Sequence, residues 1–217
     1  MSKEILEKAN YWATSNDFDS TTRNEIKSLI DQNNIEELTN RFYRDLEFGT
    51  GGLRGILGAG TAYMNIYNIR KATSALVGYI QELKSDKNIS VAISYDSRNF
   101  SPEFAQAAAE IISGMGGKAF ITKELRPVPM LSFMVRHFKC DAGICITASH
   151  NPPNYNGFKV YWSTGGQLIP PHDKKIIASY GSIDTYSNFK SIDFEQGIKD
   201  KKIQIVHKEL DLSLIHI

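Results

Sequence analysis

The sequence predicts an α/β fold: a three-layer domain with a mixed, mostly parallel sheet flanked by helices, and a helical extension in front of it. Three observations carry this expectation. Short apolar runs suited to buried strands alternate with amphipathic helical runs between residues 69 and 135. Two further strand-like runs, 142–147 and 157–162, stand too close together for a parallel crossover and therefore form a hairpin. The first 45 residues show helical periodicity alone.

Taken in order, residues 1–45 make the extension. Thr22-Arg23-Asn24-Glu25 reads as a capping box ahead of Ile26, Leu29 and Ile30. Asn34, with Glu37 three residues on, opens another helix carrying Leu38, Phe42 and Leu46 at i, i+4 and i+8. This region carries no chemistry of its own and is expected to pack. Residues 46–185 are the α/β domain. Six of the twelve residues 49–60 are glycine, so the backbone there turns tightly or approaches something closely. A long helix follows with Ile69, Ala72, Thr73, Leu76, Ile80 and Leu83 on one face. Residues 91–95 are a buried strand, and Ser101 caps the next helix, with Pro102 at its first position and glycines 114, 116 and 117 ending it. A strand at 118–122, a helix led by Pro127-Val128-Pro129, the hairpin, and a last helix begun by Pro170-Pro171 complete the pattern. Residues 186–217 carry a weaker signal and are expected to begin an interdomain segment.

Composition narrows the function. Lys plus Arg number 25 against 24 for Asp plus Glu, and a net charge of +1 gives no broadly basic surface, so no nucleic-acid partner is expected. No apolar run approaches the roughly 20 residues of a spanning helix. Residues 1–8 alternate charges in an amphipathic pattern unlike a signal peptide, which makes the cytoplasm the expected compartment and leaves no membrane partner. Cys140 and Cys145 make neither a disulfide framework nor a zinc motif; they read as small buried hydrophobes.

Two motifs carry chemistry. The glycine run fails both nucleotide fingerprints: position 54 is arginine where a third glycine is needed, and Thr61-Ala62 follows Gly60 where a P-loop needs Lys-Ser/Thr. What remains is Arg54, whose planar fork suits a phosphate, beside glycines that let main-chain N–H groups reach the same anion. The second motif, Thr147-Ala148-Ser149-His150-Asn151-Pro152-Pro153, occupies the hairpin loop. A serine among Asn and Pro is by default a turn former. An adjacent imidazole, an amide and a rigid Pro-Pro turn that serine into a candidate functional group, and Lys159 lies on the strand that follows.

The run Gly143-Ile144-Cys145-Ile146-Thr147-Ala148-Ser149-His150-Asn151-Pro152 resembles the phosphoserine loop of the α-D-phosphohexomutases. Leu46-Glu47-Phe48-Gly49-Thr50-Gly51-Gly52-Leu53-Arg54-Gly55 resembles their N-terminal active-site loop. Tyr95-Asp96-Ser97-Arg98, Ser101-Pro102-Glu103-Phe104 and Asn156-Gly157-Phe158-Lys159 match in the family's order. The extension is similar to the phosphoglucomutase/phosphopentomutase branch, and the likeness covers about residues 5–185. Gly51 departs from the family's usual Ser or Ala, and Tyr63 stands where a basic residue often precedes Met-Asn.

The resemblance implies a mutase that interconverts hexose 1-phosphate and hexose 6-phosphate, glucose before mannose or a pentose, through phospho-Ser149 and a hexose 1,6-bisphosphate. It implies Mg²⁺ bound through the Ser149 phosphate. Ser149, His150, Lys159 and Arg54 become the catalytic candidates, with the proton-transfer role open between His150 and Lys159. Thr50, Gly51, Arg54, Asn151 and Arg98 become the phosphate- and substrate-binding candidates, with Arg98, together with Asp96, expected chiefly to brace the site. The partner is a small phosphosugar, with no expectation for oligomeric state. The family's Asp-rich metal loop, sugar-specificity loop and C-terminal phosphate clamp lie in three further domains, so these 217 residues are expected to be an N-terminal fragment. Residues 212–217 are unlike the family. The rival expectations are an inactive truncated domain and a phosphorylated-loop interaction module.

Overall fold

The computed structural model describes residues 2–49, 51–86, 88–207 and 210. Three helices come first: α1 (Lys3–Thr14), α2 (Ser20–Asp31) and α3 (Ile35–Phe42). The domain then runs β1 (Gly52–Ile56), α4 (Ile66–Leu83), β2 (Ser90–Tyr95), α5 (Ser101–Gly114), β3 (Lys118–Thr122), α6 (Val128–His137), β4 (Ala142–Ile146), β5 (Tyr155–Trp162), α7 (His172–Gly181), α8 (Phe194–Lys199) and β6 (Ile203–Val206). The strands form one sheet in the order β1-β5-β4-β2-β3-β6. The β4–β2, β2–β3 and β3–β6 pairs are parallel, and the β1–β5 and β5–β4 pairs are antiparallel, so the mixed sheet and its hairpin stand as expected.

Both faces of the sheet are covered, which is why its strands read as continuous apolar runs rather than alternating ones. On one face Ile69, Leu76 and Ile80 of α4, Ala108 and Ile112 of α5 and Ile176 of α7 pack on Ile93, Ile144 and Phe158. On the other, Leu131, Met134 and Val135 of α6 pack on Ala92, Phe120, Cys145 and Tyr161. No helix among the described residues is long and apolar enough to cross a membrane.

The extension has its own small core. Trp12 stacks on Phe18 at 4.2 Å, and Ile26, Leu38, Phe42 and Tyr67 close around them. Arg41 of α3 fastens this core to the glycine run. It pairs with Glu25 and Glu37, donates to the Ala59 carbonyl at 3.0 Å, and its own carbonyl accepts from Ala62 N–H. A β-carbon on Gly60 (φ 127°) would lie 2.8 Å from the Arg41 carbonyl oxygen, so this half of the run serves packing.

Four local expectations need correction. The cap of α2 is Asp19, whose carboxylate accepts from Thr22 N–H at 2.9 Å. Thr22 therefore sits inside the first turn, and the carboxylate, favoured by the positive end of the helix dipole, takes the capping role. The cap of α5 is Phe100 at φ 62°, without a side-chain bond, because the Ser101 hydroxyl is buried and donates to Asp96 Oδ1 at 2.9 Å. Half of the glycine run is a strand, β1, and the weakly patterned stretch after 185 supplies α8 and the sheet's outer strand β6. The Asn34 cap holds as expected, accepting from Glu37 N–H at 3.1 Å.

Strand order positions the functional loops. The chain leaves β2 toward β3 on one side and returns to β4 on the other, so the order reverses between β2 and β4. In open α/β sheets ligands bind outside the carboxyl ends of the strands at such a reversal. The segments after β2 (96–100) and after β4 (147–154) meet there.

Cys140 and Cys145 are 1% and 2% exposed. Burial pushes the Cys140 thiol up to about 12 and the Cys145 thiol upward as well. Neither should react with a thiol-specific disulfide reagent at mildly alkaline pH in the native protein, and both should react in guanidinium. Because only the unfolded chain then ionises these thiols, stability should fall as pH rises above the ordinary thiol range toward that raised value. Stoichiometric labelling of folded protein would refute the first expectation, and pH-independent urea midpoints across that window the second.

Candidate active site

The loop after β4 is built around one guanidinium. Arg98 Nη1 donates to the carbonyls of Pro152 (2.9 Å) and Tyr155 (3.0 Å), and Nη2 to those of Ser149 and Asn151 (2.7 Å each). Its Nε faces Asp96 Oδ2 at 3.5 Å. An arginine has five N–H donors in a fixed fork, and all five are committed here. Arg98 thus shapes the loop. Asp96 accepts from Arg98 N–H and from the Ser101 hydroxyl, and Ser101 in turn accepts from Asn156 Nδ2 at 2.9 Å. This chain of bonds joins the end of β2, the start of α5 and the start of β5. Sequence reading missed Ser101 and Asn156 as members; both are fully buried, and a buried hydroxyl beside a buried amide is the signal that burial, not motif, would have given.

Ser149 is exposed, with φ 59°. A non-glycine residue in the left-handed region is uncommon and clusters at functional sites. Its N–H is held by Thr147 Oγ1 at 2.9 Å. The Asn151 side-chain Oδ1 is buried and without a hydrogen-bond partner. Ser149, Asn151 and Pro153 line a cavity of about 310 Å³ together with Asp96, Ser97, Arg98 and Asn99.

Arg54 and Lys159 are brought together by register. Arg54 stands opposite Gly157, and Gly52 opposite Lys159, so both cations leave the same sheet face on adjacent strands. Thr147 N–H donates to the Gly157 carbonyl, which extends this row one strand further, to the base of the Ser149 loop. Gly157 has no room for a side chain: a β-carbon would lie 2.6 Å from the Thr147 oxygen and 2.8 Å from that of Leu53. Gly52 (φ 127°) is tighter still, its β-carbon falling 1.7 Å from the Phe158 oxygen. Arg54 and Lys159 line a cavity of about 400 Å³ with Arg44, Glu47, Gly49, Gly51, Gly52 and Gln167. Three cations against one carboxylate, itself paired with Arg44 at 2.8 Å, give the cavity a net positive lining suited to an anion. Arg44 and Gln167 were missed because neither belongs to a motif; α3's end and the β5 turn bring them in.

The expected residues therefore fall into two groups one strand apart. Ser149, Asn151 and Arg98 line one cavity, and Arg54, Gly51 and Lys159 the other. His150 is exposed and lines neither. Thr50 lies outside the described residues. Among the described residues no three His, Cys, Asp or Glu side chains are grouped to hold a metal ion. Asp96, the carboxylate that lines the Ser149 cavity, is already committed to Arg98 and Ser101. The residues present do not make a magnesium site.

The chain is similar to known proteins in sequence and fold. Residues 45–187 match the family model of phosphoglucomutase/phosphomannomutase, alpha/beta/alpha domain I. A phosphoglucomutase from Staphylococcus saprophyticus is 37% identical over 185 residues, which covers 85% of this chain and 33% of that protein. A human phosphopentomutase is 41% identical over 167 residues, covering 74% of this chain and 27% of its own. A crystal structure from Thermus thermophilus, assigned as a phosphomannomutase, superposes with a TM-score of 0.60 at 27% identity, over 76% of this chain and 34% of that one. The chain thus spans about one third of the length of these relatives. A matching domain model, a serine loop pinned at the strand-order reversal and the adjoining cationic cavity lead to one assignment: the chain belongs to the phosphoglucomutase/phosphomannomutase family of α-D-phosphohexomutases.

Proposed function

We propose that this chain provides the phosphoryl-carrying part of a phosphosugar mutase that interconverts hexose 1-phosphate and hexose 6-phosphate, with glucose as the sugar. The observation that carries the reading is Ser149: exposed, in a left-handed turn, on a loop fixed by Arg98 and beside the Arg54–Lys159 cavity. In the forward half-reaction the P–O bond to Ser149 Oγ breaks as a sugar hydroxyl oxygen bonds to phosphorus. That hydroxyl gives up its proton to a base, Ser149 Oγ takes one up as it leaves, and the product is a hexose 1,6-bisphosphate. After the intermediate reorients, its other phosphate returns to Ser149 by the reverse step. Phosphoryl transfer asks mainly for positioning and charge stabilisation. Arg54 supplies the charge, Gly51 an approachable main chain, and Lys159, which lines the same cavity, is favoured over His150 as the proton acceptor. The magnesium ion implied by the resemblance would need carboxylates from beyond the described residues, and its link to this chain would be a phosphate on Ser149.

The test is Ser149→Ala in a protein extended to the length of its relatives. Turnover should fall by several orders of magnitude while the fold survives, since an exposed loop serine contributes about 0.5 kcal/mol or less. Intact mass should show a partly occupied phosphoryl adduct that the variant lacks. Near-normal activity of the variant with hexose bisphosphate supplied, or phosphate mapped to another residue, would sink the proposal. Residues 1–217 alone should bind phosphosugar with negligible turnover, because the positioning of the far phosphate, worth about 7–11 kcal/mol of barrier at most, is missing. A coupled glucose 1-phosphate assay at parental rate would contradict this.

Arg98→Ala should strand four loop carbonyls and cost about 2–4 kcal/mol. Arg98→Lys should recover only part, since three rotatable donors cannot replace the fork. Urea unfolding and amide exchange at residues 149–155 check both; unchanged exchange in Arg98→Ala would remove Arg98 from its role.

A further inference from the structure

Gln167 has no part in the chemistry above; its side chain is exposed, but the backbone that carries it is fixed. Its backbone bridges Tyr161, and the turn before it is closed by Gly165 N–H to the Trp162 carbonyl and Trp162 N–H to that of Gly166, both at 2.8 Å. The next residue, Leu168, is buried and donates to the Val160 carbonyl at 3.0 Å. The side chain leaves this fixed backbone, lines the Arg54–Lys159 cavity and makes no hydrogen bond within the described structure. Among the described residues lining that cavity it is the one neutral polar side chain.

Gly51 explains where the amide lies. A β-carbon at position 51 would fall 2.0 Å from Gln167 Nε2. The φ of Gly51 lies outside the left-handed range, so its backbone would accept a side chain; what occupies the space is the Gln167 amide. The glycine and the glutamine thus form a steric pair at the cavity wall.

We infer that Gln167 is a specificity-determining residue that reads the hydroxyl groups of the bound sugar, while Arg54 in the same cavity holds its phosphate. This rests on the phosphosugar reading above. An amide offers two N–H donors and a carbonyl acceptor on one rigid plane, which matches neighbouring sugar hydroxyls, each both donor and acceptor. A site built to hydrogen-bond a hydroxyl discriminates strongly against a ligand that lacks it.

The experiment titrates the 217-residue chain by calorimetry or amide NMR with glucose 1-phosphate and, separately, with inorganic phosphate. Wild type should prefer the sugar phosphate. Gln167→Ala should weaken glucose 1-phosphate by about tenfold, the loss of one or two neutral hydrogen bonds, and leave inorganic phosphate as in wild type. Gly51→Ala should reproduce part of that loss by displacing the amide, and add nothing in the Gln167→Ala background. Unchanged glucose 1-phosphate affinity in Gln167→Ala, or an equal weakening of both ligands, would overturn the assignment while the cavity remained an anion site. If wild type binds neither ligand, the phosphosugar reading falls, and this assignment with it.

Discussion

The Ser149 loop depends on the satisfaction of one half-buried guanidinium. Arg98 leaves the end of β2 with a charge that would be costly to bury alone, and the loop after β4 wraps around it so that four carbonyl oxygens receive its N–H groups. The dependence is mutual. A loop of this length, with Pro152 and Pro153 lacking N–H groups and carbonyls turned inward, has few bonding partners of its own. The arginine supplies them, and in doing so fixes the turn that leaves Ser149 at φ 59° with its side chain in solvent. Asp96 then has two duties: it balances the charge beside Arg98 Nε and orders Ser101 and, through it, Asn156. One ion pair therefore couples the two halves of the sheet across the reversal in strand order.

The glycine run divides the remaining work. Gly52 lets β1 lie against β5 at a distance no side chain would permit, and that close contact puts Arg54 on the same face as Lys159. Gly60 instead lets α3 approach, so that Arg41 can reach the run's carbonyls. A phosphate-binding appearance in sequence thus resolves into a functional first half and a packing second half. The extension is joined to the site by the same contact, since the chain leaving α3 passes Arg44 and Glu47 into the cavity wall.

The legible and illegible parts of the sequence separate on physical grounds. The strands 91–95 and 118–122 and the helix around Leu76 were legible because burial imposes a period on apolar residues. β1 was not, since Gly52, Arg54 and Gly55 give no β-propensity and its pairing with β5 comes from register about 100 residues away. β6 was missed because four residues, one of them Gln204, are too few to show a pattern. The α2 and α5 caps misled because Thr22 and Ser101 have the right chemistry but other roles: Asp19 takes the capping bond of α2, and Asp96 engages the Ser101 hydroxyl. At the site, Ser149, Arg54 and Lys159 were legible as motif residues. Arg98 was legible as a brace of the site, but which carbonyls it holds is a property of folded geometry. Gln167 and Arg44 could be found only in three dimensions.

The chain spans about one third of its relatives' length, yet the bonds that define this site are internal to it. The partners of Arg98, the Thr147–Gly157–Arg54 row and the Gly51–Gln167 contact all lie between residues 51 and 167. They are anchored on strands that are covered on both faces by helices of the same domain. Such a site is preorganised: its geometry does not wait for a ligand or another domain to assemble it. What a phosphate on Ser149 would add is about −1.5 to −2 charges at a loop whose arginine is already fully engaged. The unengaged cations of the described site are Arg54 and Lys159, one strand away. A negative group placed on Ser149 would therefore meet its unengaged counter-charges in the adjoining cavity and not in its own loop.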